Sequence, residues 1–307
     1  MSSVVETEHS ASRPAGEVQE PSPGAQLRRR IFGHGGLMIG ATVLAAVVLM
    51  ALFADVLAPH DPYDQVLSRK LIPPVWHDGA NATWEFPLGT DQLGRDYLSR
   101  LLYGARISLV IGFGAMLISG LIGTTLGLIA GYFGGRIDMV VNFLITTRLS
   151  LPVVLVALAV VSLIGSSLAV VIWVLGLLLW DRFAVVVRSA TQQVRNLEFI
   201  TAAQAIGCRT PRIIVSEIMP NIFNHLTVVA TVEMAHAIIL EAALSFLGMG
   251  VQPPTPSWGL MISQAKGMMF FESWLIVIPG TALFALLLAI NLVGDGLRDI
   301  VAPDNQT

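Results

Sequence analysis

Long apolar stretches constrain this 307-residue chain more than any other feature of its sequence. A helix that spans a bilayer needs about 20 mostly apolar residues, because lipid offers no partner for an unpaired backbone polar group. Stretches of this kind predict an all-α membrane protein with about six transmembrane helices. The predicted spans are residues 37–58, 107–132, 139–164, 168–188, 226–247 and 274–293, and Arg148 and Pro152 interrupt the third.

The composition excludes an ordinary soluble globule. The chain is 54% hydrophobic and only 13% charged, with a mean hydropathy of +0.71, whereas a soluble domain carries about 25% charged residues. A net charge of −3 gives no sign of nucleic-acid binding. A single cysteine, Cys208, excludes an internal disulfide and any paired-cysteine metal or redox site.

The ends of the chain differ from its apolar middle. Residues 1–30 are rich in Ser, Glu, Pro and Gly, which predicts a disordered tail, and we see no cleavable signal peptide before the first apolar stretch. Residues 31–104 are predicted to form the first span and a long outside loop. Residues 105–300 are predicted to form a core of five helices with a polar loop at 196–221, and residues 301–307 a short C-terminal tail.

The arginines predict the orientation of the chain in the membrane. Residues 28–30 are three arginines that directly precede the first span, which favours a cytoplasmic N-terminus. Six spans return the C-terminus, with Arg298, to the same side. The outside loops are then residues 60–106, 165–167 and 248–273, and the polar loop falls in the cytoplasm.

The polar loop begins with a short predicted helix. Its sequence from residue 201 to residue 221 is TAAQAIGCRTPRIIVSEIMPN, between the fourth and fifth predicted spans. Residues 198–206 favour a helix, and Gly207 stands where a left-handed residue would end it.

A second predicted helix follows the turn. Thr210 before Pro211 is a helix start signal, with Thr210 as the N-cap, and residues 212–219 continue to Pro220, which marks entry into the next span. The loop is therefore a helix–turn–helix. Two interpretations stay open: an interfacial loop resting on lipid headgroups, or a rigid element that docks on a cytoplasmic protein.

Glycines recur along the second predicted span at close to one-turn spacing. Small residues let helix backbones approach closely in lipid, so this face packs either inside one bundle or against a partner subunit. The glycines are Gly112, Gly114, Gly120, Gly123, Gly127 and Gly131.

The polar loop resembles the EAA loop of ABC-importer permeases. That pattern is Glu-Ala-Ala, three residues, Gly, nine residues, then Ile-x-Leu-Pro. Four positions match, and they are Ala202, Ala203, Gly207 and Pro220. Three positions depart from the pattern, and they are Thr201, Glu217 and Met219 in place of Glu, Ile and Leu.

Four further segments are similar to the C-type permease subunit of dipeptide, oligopeptide and nickel importers. They are LGTDQLGRDYLSRLLYGARISL (88–109), LIAGYFGGRID (128–138), EAALSFLGMGVQPPTPSWG (241–259) and NLVGDGLRD (291–299). The resemblance covers residues 37–303. It implies the type I ABC-importer permease fold (MetI-like) in a bacterial inner membrane. No glycine-rich segment has the Lys-Ser/Thr ending of a phosphate-binding loop, so we expect no ATPase activity in this chain.

The resemblance also implies partners. They are a second, B-type permease subunit, two ATP-binding subunits or a fused dimer, a periplasmic or lipid-anchored solute-binding protein, and the lipid bilayer; no cofactor or nucleic acid is expected. In this family the EAA loop forms a coupling helix seated in a cleft of an ATPase subunit. The residues that the resemblance assigns to coupling are Glu198, Thr201, Ala202, Ala203, Gly207, Pro211 and Pro220.

Ionisable side chains inside the predicted spans are candidates for the translocation path, because an unpaired charge in lipid is unfavourable by several kcal/mol. An alternative is that an arginine pairs with a glutamate and locks the bundle. Glu233 and His236 form half of a di-iron motif, but the sequence offers no second half, so we expect no metal site. The candidates are Arg148, Arg182, Glu233, His236 and Glu241.

Two outside segments are candidates for docking the solute-binding protein. One is GTDQLGRD in the first outside loop; the other is residues 250–259, where three prolines predict a rigid re-entrant or surface loop. That second segment is otherwise a simple connection between spans. The docking candidates are Asp91, Arg95, Asp96 and Trp258.

Two other classes of membrane protein fit the sequence less well. A stand-alone secondary transporter usually shows an internal repeat, and none is visible. A membrane protease needs a nucleophile beside His236 in a recognisable motif, and none is found. Among substrates the resemblance implies dipeptides or short peptides, with oligopeptides, glutathione, haem, nickel chelates and opines as alternatives that pass through similar permeases.

Overall fold

A computed structural model describes residues 32–77 and 82–301 of the chain. The regular structure of these residues is helical, without a strand, which confirms the predicted all-α class. The predicted tails, residues 1–30 and 302–307, lie outside the described residues.

The described residues form twelve α-helices. They are α1 Gly35–Leu52, α2 Ala54–Leu57, α3 Tyr97–Phe133, α4 Gly135–Leu149, α5 Val153–Ile164, α6 Leu168–Leu178, α7 Trp180–Arg195, α8 Glu198–Ala205, α9 Thr210–Arg212, α10 Met219–Phe246, α11 Trp258–Ala265 and α12 Trp274–Val301. A π-helical segment, Ile213–Ile218, joins α9 to α10.

Five of the described helical segments are long and apolar enough to cross a membrane, and the bent pair α4 and α5 makes up to six. This confirms the predicted number of spans. The predicted interruption of residues 139–164 is confirmed, because the chain breaks between α4 and α5, which meet at an angle of 84°. Pro152 is the N-cap of α5; a proline has no backbone N–H to donate, so the helix ends before it and restarts.

The second span begins ten residues earlier than predicted, at Tyr97 instead of residue 107. Asp96 is its N-cap, and one carboxylate oxygen accepts a hydrogen bond from the backbone N–H of Ser99 at 2.9 Å. The segment between α2 and α3 therefore ends ten residues earlier than predicted, and the expected division at residues 104 and 105 falls inside α3.

The glycine face of α3 packs against α7 of the same chain. A Cβ atom placed on Gly123 would lie 2.2 Å from the carbonyl oxygen of Trp180, and one on Gly127 would lie 2.8 Å from that of Ala184. Only glycine permits this approach of two backbones. For these glycines, packing inside one bundle is thus confirmed.

The two ends of the bundle differ in structure. At one end α1 begins beside the last turns of α12, where Nε2 of His34 lies 2.9 Å from a carboxylate oxygen of Asp299. The same end carries the α8–α9 turn, and we call it the hairpin end. The opposite end carries residues 58–77, residues 82–96 and α11, and we call it the loop end.

Candidate functional site

The polar loop forms the predicted helical hairpin. Helix α8 ends at Ala205, and Gly207 follows with a φ of +81°. The backbone N–H of Cys208 donates to the carbonyl of Ala203, and that of Gly207 donates to the carbonyl of Gln204, both at 3.0 Å. This pair of bonds is the Schellman motif, which a left-handed glycine allows. The predicted role of Gly207 as the helix terminator is confirmed.

The start of the second arm differs from the prediction. Arg209 is the N-cap, with extended backbone angles, and Thr210 already belongs to α9 without a side-chain capping bond. The predicted N-cap at Thr210 is therefore wrong by one residue. Pro211 is tolerated at the second helical position, because the backbone N–H groups of the first turn have no partner inside the helix.

The second arm also continues into the membrane without a break. Thr210–Phe246 forms one helical run of 37 residues. Pro220 lies in its interior, just after the π-helical segment Ile213–Ile218. A proline removes one backbone donor, and a π turn is a common local adjustment inside an α-helix. The hairpin is thus directly continuous with a transmembrane span.

One face of α8 is open to the surroundings. Glu198, Thr201, Ala202 and Ala205 are exposed, and their spacing of three and four residues places them on one side of the helix. Ile200 on the opposite side is fully buried. Of the seven predicted coupling residues, Ala203 alone is half-buried. The other six are exposed, and they are Glu198, Thr201, Ala202, Gly207, Pro211 and Pro220.

The inner face of the hairpin packs on α3 and α7. Ile200, Ile213, Ile218 and Ile222 are each at most 1% exposed and form one cluster with side chains of those two helices. The partners in the cluster are Leu128, Tyr132, Val187 and Ala190. Burying a large aliphatic side chain contributes about 1.5–3 kcal/mol, so this seat holds the hairpin firmly against the bundle.

The sequence prediction missed two residues at the tip of the hairpin. Ile206 is 81% exposed, although a large aliphatic side chain in a polar loop usually finds a partner. Ala205 completes the exposed face of α8. Extending the three-and-four spacing from Glu198 to residue 205 would have found Ala205.

Three of the five ionisable candidates in the spans come together. Glu233 on α10 is fully buried, and one carboxylate oxygen lies 3.2 Å from Nη1 of Arg182 on α7. The other carboxylate oxygen lies 3.8 Å from Nδ1 of His236. A mostly apolar cavity of about 330 Å³ opens beside Arg182 and Glu233.

The other two candidates lie apart from this cluster. The Arg148 guanidinium donates to the carbonyl of Leu178. Glu241 accepts hydrogen bonds from the hydroxyls of Ser245 at 2.7 Å and Ser257 at 2.9 Å. Of the possible ion pairs, Arg182 with Glu233 is therefore confirmed, whereas pairing through Arg148 or Glu241 is wrong among the described residues.

The four docking candidates are in the interior instead of on the surface. Asp91, Arg95, Asp96 and Trp258 are between 1% and 7% exposed. The indole N–H of Trp258 donates to the carbonyl of Leu101 at 2.9 Å. These polar side chains form contacts between the residue 82–96 segment, α3 and α11. Buried in this way, they do not form a surface on which a partner could dock.

Arg100 and Gln264 complete a buried polar cluster that the sequence did not reveal. Nε of Arg95 donates to Asp91 at 2.7 Å, and Nη1 of Arg100 lies 3.2 Å from the same carboxylate oxygen. Nη2 of Arg100 donates to the side-chain oxygen of Gln264 at 2.8 Å. Gln264 is 164 residues away in the chain, so no local pattern could have indicated this contact.

A multi-pass helical bundle that holds one exposed hairpin rigidly between two spans has the architecture of a transport permease. The family model described as the binding-protein-dependent transport system inner membrane component matches residues 123–306. The model for the N-terminal transmembrane domain of oligopeptide transport permease C matches residues 22–74. The chain belongs to this family of ABC-transporter permeases and is a multi-pass inner-membrane protein, as predicted.

Individual relatives agree with this assignment. The dipeptide transport system permease protein DppC of Haemophilus influenzae is 39% identical over 87% of this chain and 90% of its own. The di/tripeptide transport system permease protein DppC of Pseudomonas aeruginosa is 37% identical over 96% of this chain and 97% of its own. The glutathione transport system permease protein GsiD of Pectobacterium atrosepticum is 36% identical over 90% of this chain and 89% of its own.

A solved structure shares the fold. A chain of the MetNI methionine ABC transporter, in an inward-facing conformation, superposes with a TM-score of 0.54 at 18% identity. The match covers 66% of this chain and 96% of the other. The predicted type I importer fold is thereby confirmed.

Proposed function

We propose that this chain is the permease subunit of an ATP-driven importer of dipeptides or short peptides. Relatives that match most of its length are named for dipeptide and di/tripeptide transport. The chain supplies part of the translocation path and does not hydrolyse ATP itself. Hydrolysis falls to two separate ATP-binding subunits, or to a fused dimer of them.

The observation that carries this proposal is the α8 hairpin, with an exposed outer face and a buried inner one. A rigid helix that protrudes from two spans suits insertion into a groove of a partner protein. Ile200, Ile213 and Ile218 fix the hairpin to the bundle. A movement of the partner would therefore displace the spans as well, because the described chain has no flexible loop between them and the hairpin. Thr201, Ala202 and Gly207 form the contact surface.

The proposed assembly has a further membrane subunit and an extracytoplasmic one. A second, B-type permease subunit completes the translocation path, and a solute-binding protein delivers the peptide at the loop end. The hairpin end then faces the cytoplasm. Arg182, Glu233 and His236 are the candidates for groups along the path, because they combine both signs of charge next to an open cavity.

Gly207→Glu tests the coupling role. A Cβ atom on Gly207 meets nothing within 4 Å in its own chain. A larger side chain there therefore adds backbone strain at the positive φ and, beyond that, meets a docked partner. We expect the variant to assemble and hydrolyse ATP but to lose at least about tenfold in peptide uptake in reconstituted vesicles, which corresponds to about 1.4 kcal/mol of lost coupling.

Gly207→Asn is the matched control. Asparagine tolerates positive φ better than other residues, so it separates backbone strain from the bulk and charge of glutamate. We expect Gly207→Asn to retain most of the uptake. Wild-type uptake in Gly207→Glu would contradict the assignment of this hairpin to coupling.

Competition between substrates tests the peptide class. Vesicles that contain the complete transporter and its binding protein are supplied with a labelled dipeptide and an excess of unlabelled competitor. We expect dipeptides and tripeptides to compete, and glutathione to compete weakly. Uptake of glutathione without uptake of dipeptides would replace the proposed substrate with that of the relative from Pectobacterium atrosepticum.

A further inference from the structure

The loop end of the bundle contains a cavity beside the buried polar cluster. It has a volume of about 220 Å³ and lies between the Asp91–Arg95 turn, α11 and the start of α12. Its walls are mixed, and they include Leu93, Arg95, Tyr97, Met261, Gln264 and Leu275. Ligand pockets of small molecules commonly start at about 300 Å³, so this cavity suits a small group.

Positive charge is in excess around this cavity. Asp91 is the one carboxylate within 4 Å of either Arg95 or Arg100 among residues 32–77 and 82–301. Two guanidinium groups that are 3% and 1% exposed therefore share a single buried negative charge. Burying a charge without compensation is strongly unfavourable, so the cluster favours one additional anion.

Hydrogen-bond donors are also left without acceptors. In the described part of the chain, Nε and Nη1 of Arg100 are buried and make no hydrogen bond. Arg95 lines the cavity and uses Nε for Asp91 and Nη2 for Gln264. Its third nitrogen, Nη1, makes no hydrogen bond to a described residue and, unlike the two Arg100 nitrogens, is not sealed from the cavity, so a ligand can reach it. Buried guanidinium donors usually have partners, and an arginine fork matches the two oxygens of a carboxylate.

From these contacts we propose that the cavity between the Asp91–Arg95 turn and α11 binds a carboxylate group. The carboxylate is held by Arg95, while Arg100 stays fixed by Asp91 and Gln264. The ligand is a small organic acid or the carboxylate of a larger molecule, since the volume accepts little more. This inference concerns the loop end and does not depend on the proposed transport role.

Thermal unfolding of the full-length chain in detergent tests the proposal. Sodium acetate is titrated against sodium chloride at equal ionic strength and pH 7. A ligand that binds the folded state raises the Tm in a saturable way, and we expect a rise of about 2–4 °C. Arg95→Gln leaves one guanidinium for one carboxylate, so it should abolish the acetate response.

Arg69→Gln is the matched control. Arg69 lies in the same outside loop, pairs with Glu85 at 3.1 Å and is half-exposed, but it does not line the cavity. It should keep the full response. If Arg95→Gln fails to fold, Leu93→Trp provides the test instead. It fills the cavity without changing a charge, so it should block the rise of the Tm with acetate. An acetate response that is absent from the wild type, or unchanged in the variants that do fold, overturns the proposal.

Two peptides identify the source of the carboxylate. Glycylglycine has a free C-terminal carboxylate, whereas its amide has none. A response to glycylglycine but not to the amide supports the site and assigns it to the C-terminus of a peptide. A response to acetate alone supports the site and assigns it to an isolated carboxylate, such as an acidic side chain of a docked protein.

Discussion

Single residues in the spans show how the bundle accommodates charge. Glu233 is fully buried, and Arg182 reaches it from α7 while remaining half-exposed itself. His236 lies on the same face of α10, one turn further on. Neither carboxylate oxygen of Glu233 makes a hydrogen bond to a described residue, and Arg182, at 3.2 Å, is nearer to it than His236, at 3.8 Å. The burial of Glu233 therefore depends mainly on Arg182.

Arg182→Ala is therefore expected to destabilise the fold. Removing one partner of a buried pair is unfavourable by about 3–5 kcal/mol, and the partial exposure of Arg182 reduces the effect to about 2 kcal/mol. Adding Glu233→Gln should restore most of the loss, because no buried charge then remains. The Tm of both purified variants in detergent measures this.

The exposed pair Arg69 and Glu85 provides the comparison. Both side chains are about half-exposed, and surface pairs contribute about 0–1 kcal/mol, so Arg69→Ala should have little effect. If Glu233→Gln does not restore stability to Arg182→Ala, the loss comes from packing and not from the unpaired carboxylate.

At the scale of elements, the contact between α3 and α7 depends on the absence of side chains. Gly123, Gly127 and Gly131 let the two backbones meet, with Cβ positions that would lie less than 3 Å from α7 atoms. Such contact replaces the hydrophobic effect as the source of helix association in lipid.

Gly123→Ala tests this contact. The new Cβ would lie 2.2 Å from the Trp180 carbonyl oxygen, so the helices must separate, and we expect a loss of about 1–3 kcal/mol as for other overpacked cores. Gly280→Ala on α12 is the same change at a helical position with nothing within 4 Å. It should be neutral or stabilising by up to about 1 kcal/mol. Equal Tm values for the two variants would contradict the close-packing account.

The elements also show what the sequence could and could not reveal. The turn at Gly207 was predictable, since its cause is local: a left-handed glycine between two helical segments. Pro152 marks the break between α4 and α5, but hydropathy averaged over a window cannot detect that the two helices meet at 84°. It also misses the early start of α3 at Tyr97, because the Asp96 cap lies among polar residues. The Arg100–Gln264 contact depends on folding of the whole chain.

At the scale of the whole molecule, the two ends of the bundle carry different surfaces. The hairpin end presents Ile206 with 81% exposure, and the outside loop presents Trp84 with 83% exposure. Aromatic side chains such as Trp84 often lie at a membrane–water interface. Because the two side chains are about equally exposed, a difference in their reaction with a reagent would come from the side of the membrane on which each lies.

Cysteine labelling tests the predicted orientation. Cys208 is the sole cysteine of the sequence, so Cys208→Ser gives a background for Ile206→Cys and for Trp84→Cys. A membrane-impermeant maleimide should label Trp84→Cys in intact spheroplasts, and Ile206→Cys only after permeabilisation. The chain is expressed without ATP-binding subunits so that nothing covers residue 206. The reverse labelling pattern would contradict the predicted topology.

We propose that the helical run Thr210–Phe246 acts as a mechanical lever. Its 37 residues correspond to a rod of about 55 Å at 1.5 Å per residue, which is longer than the hydrocarbon core of a bilayer. One end of the rod belongs to the hairpin, and the other carries Glu241, whose serine contacts hold the segment that leads to α11. A tilt of about 6° around its midpoint would displace each tip by roughly 3 Å in opposite directions. A push at one surface of the membrane would therefore arrive at the other as a pull.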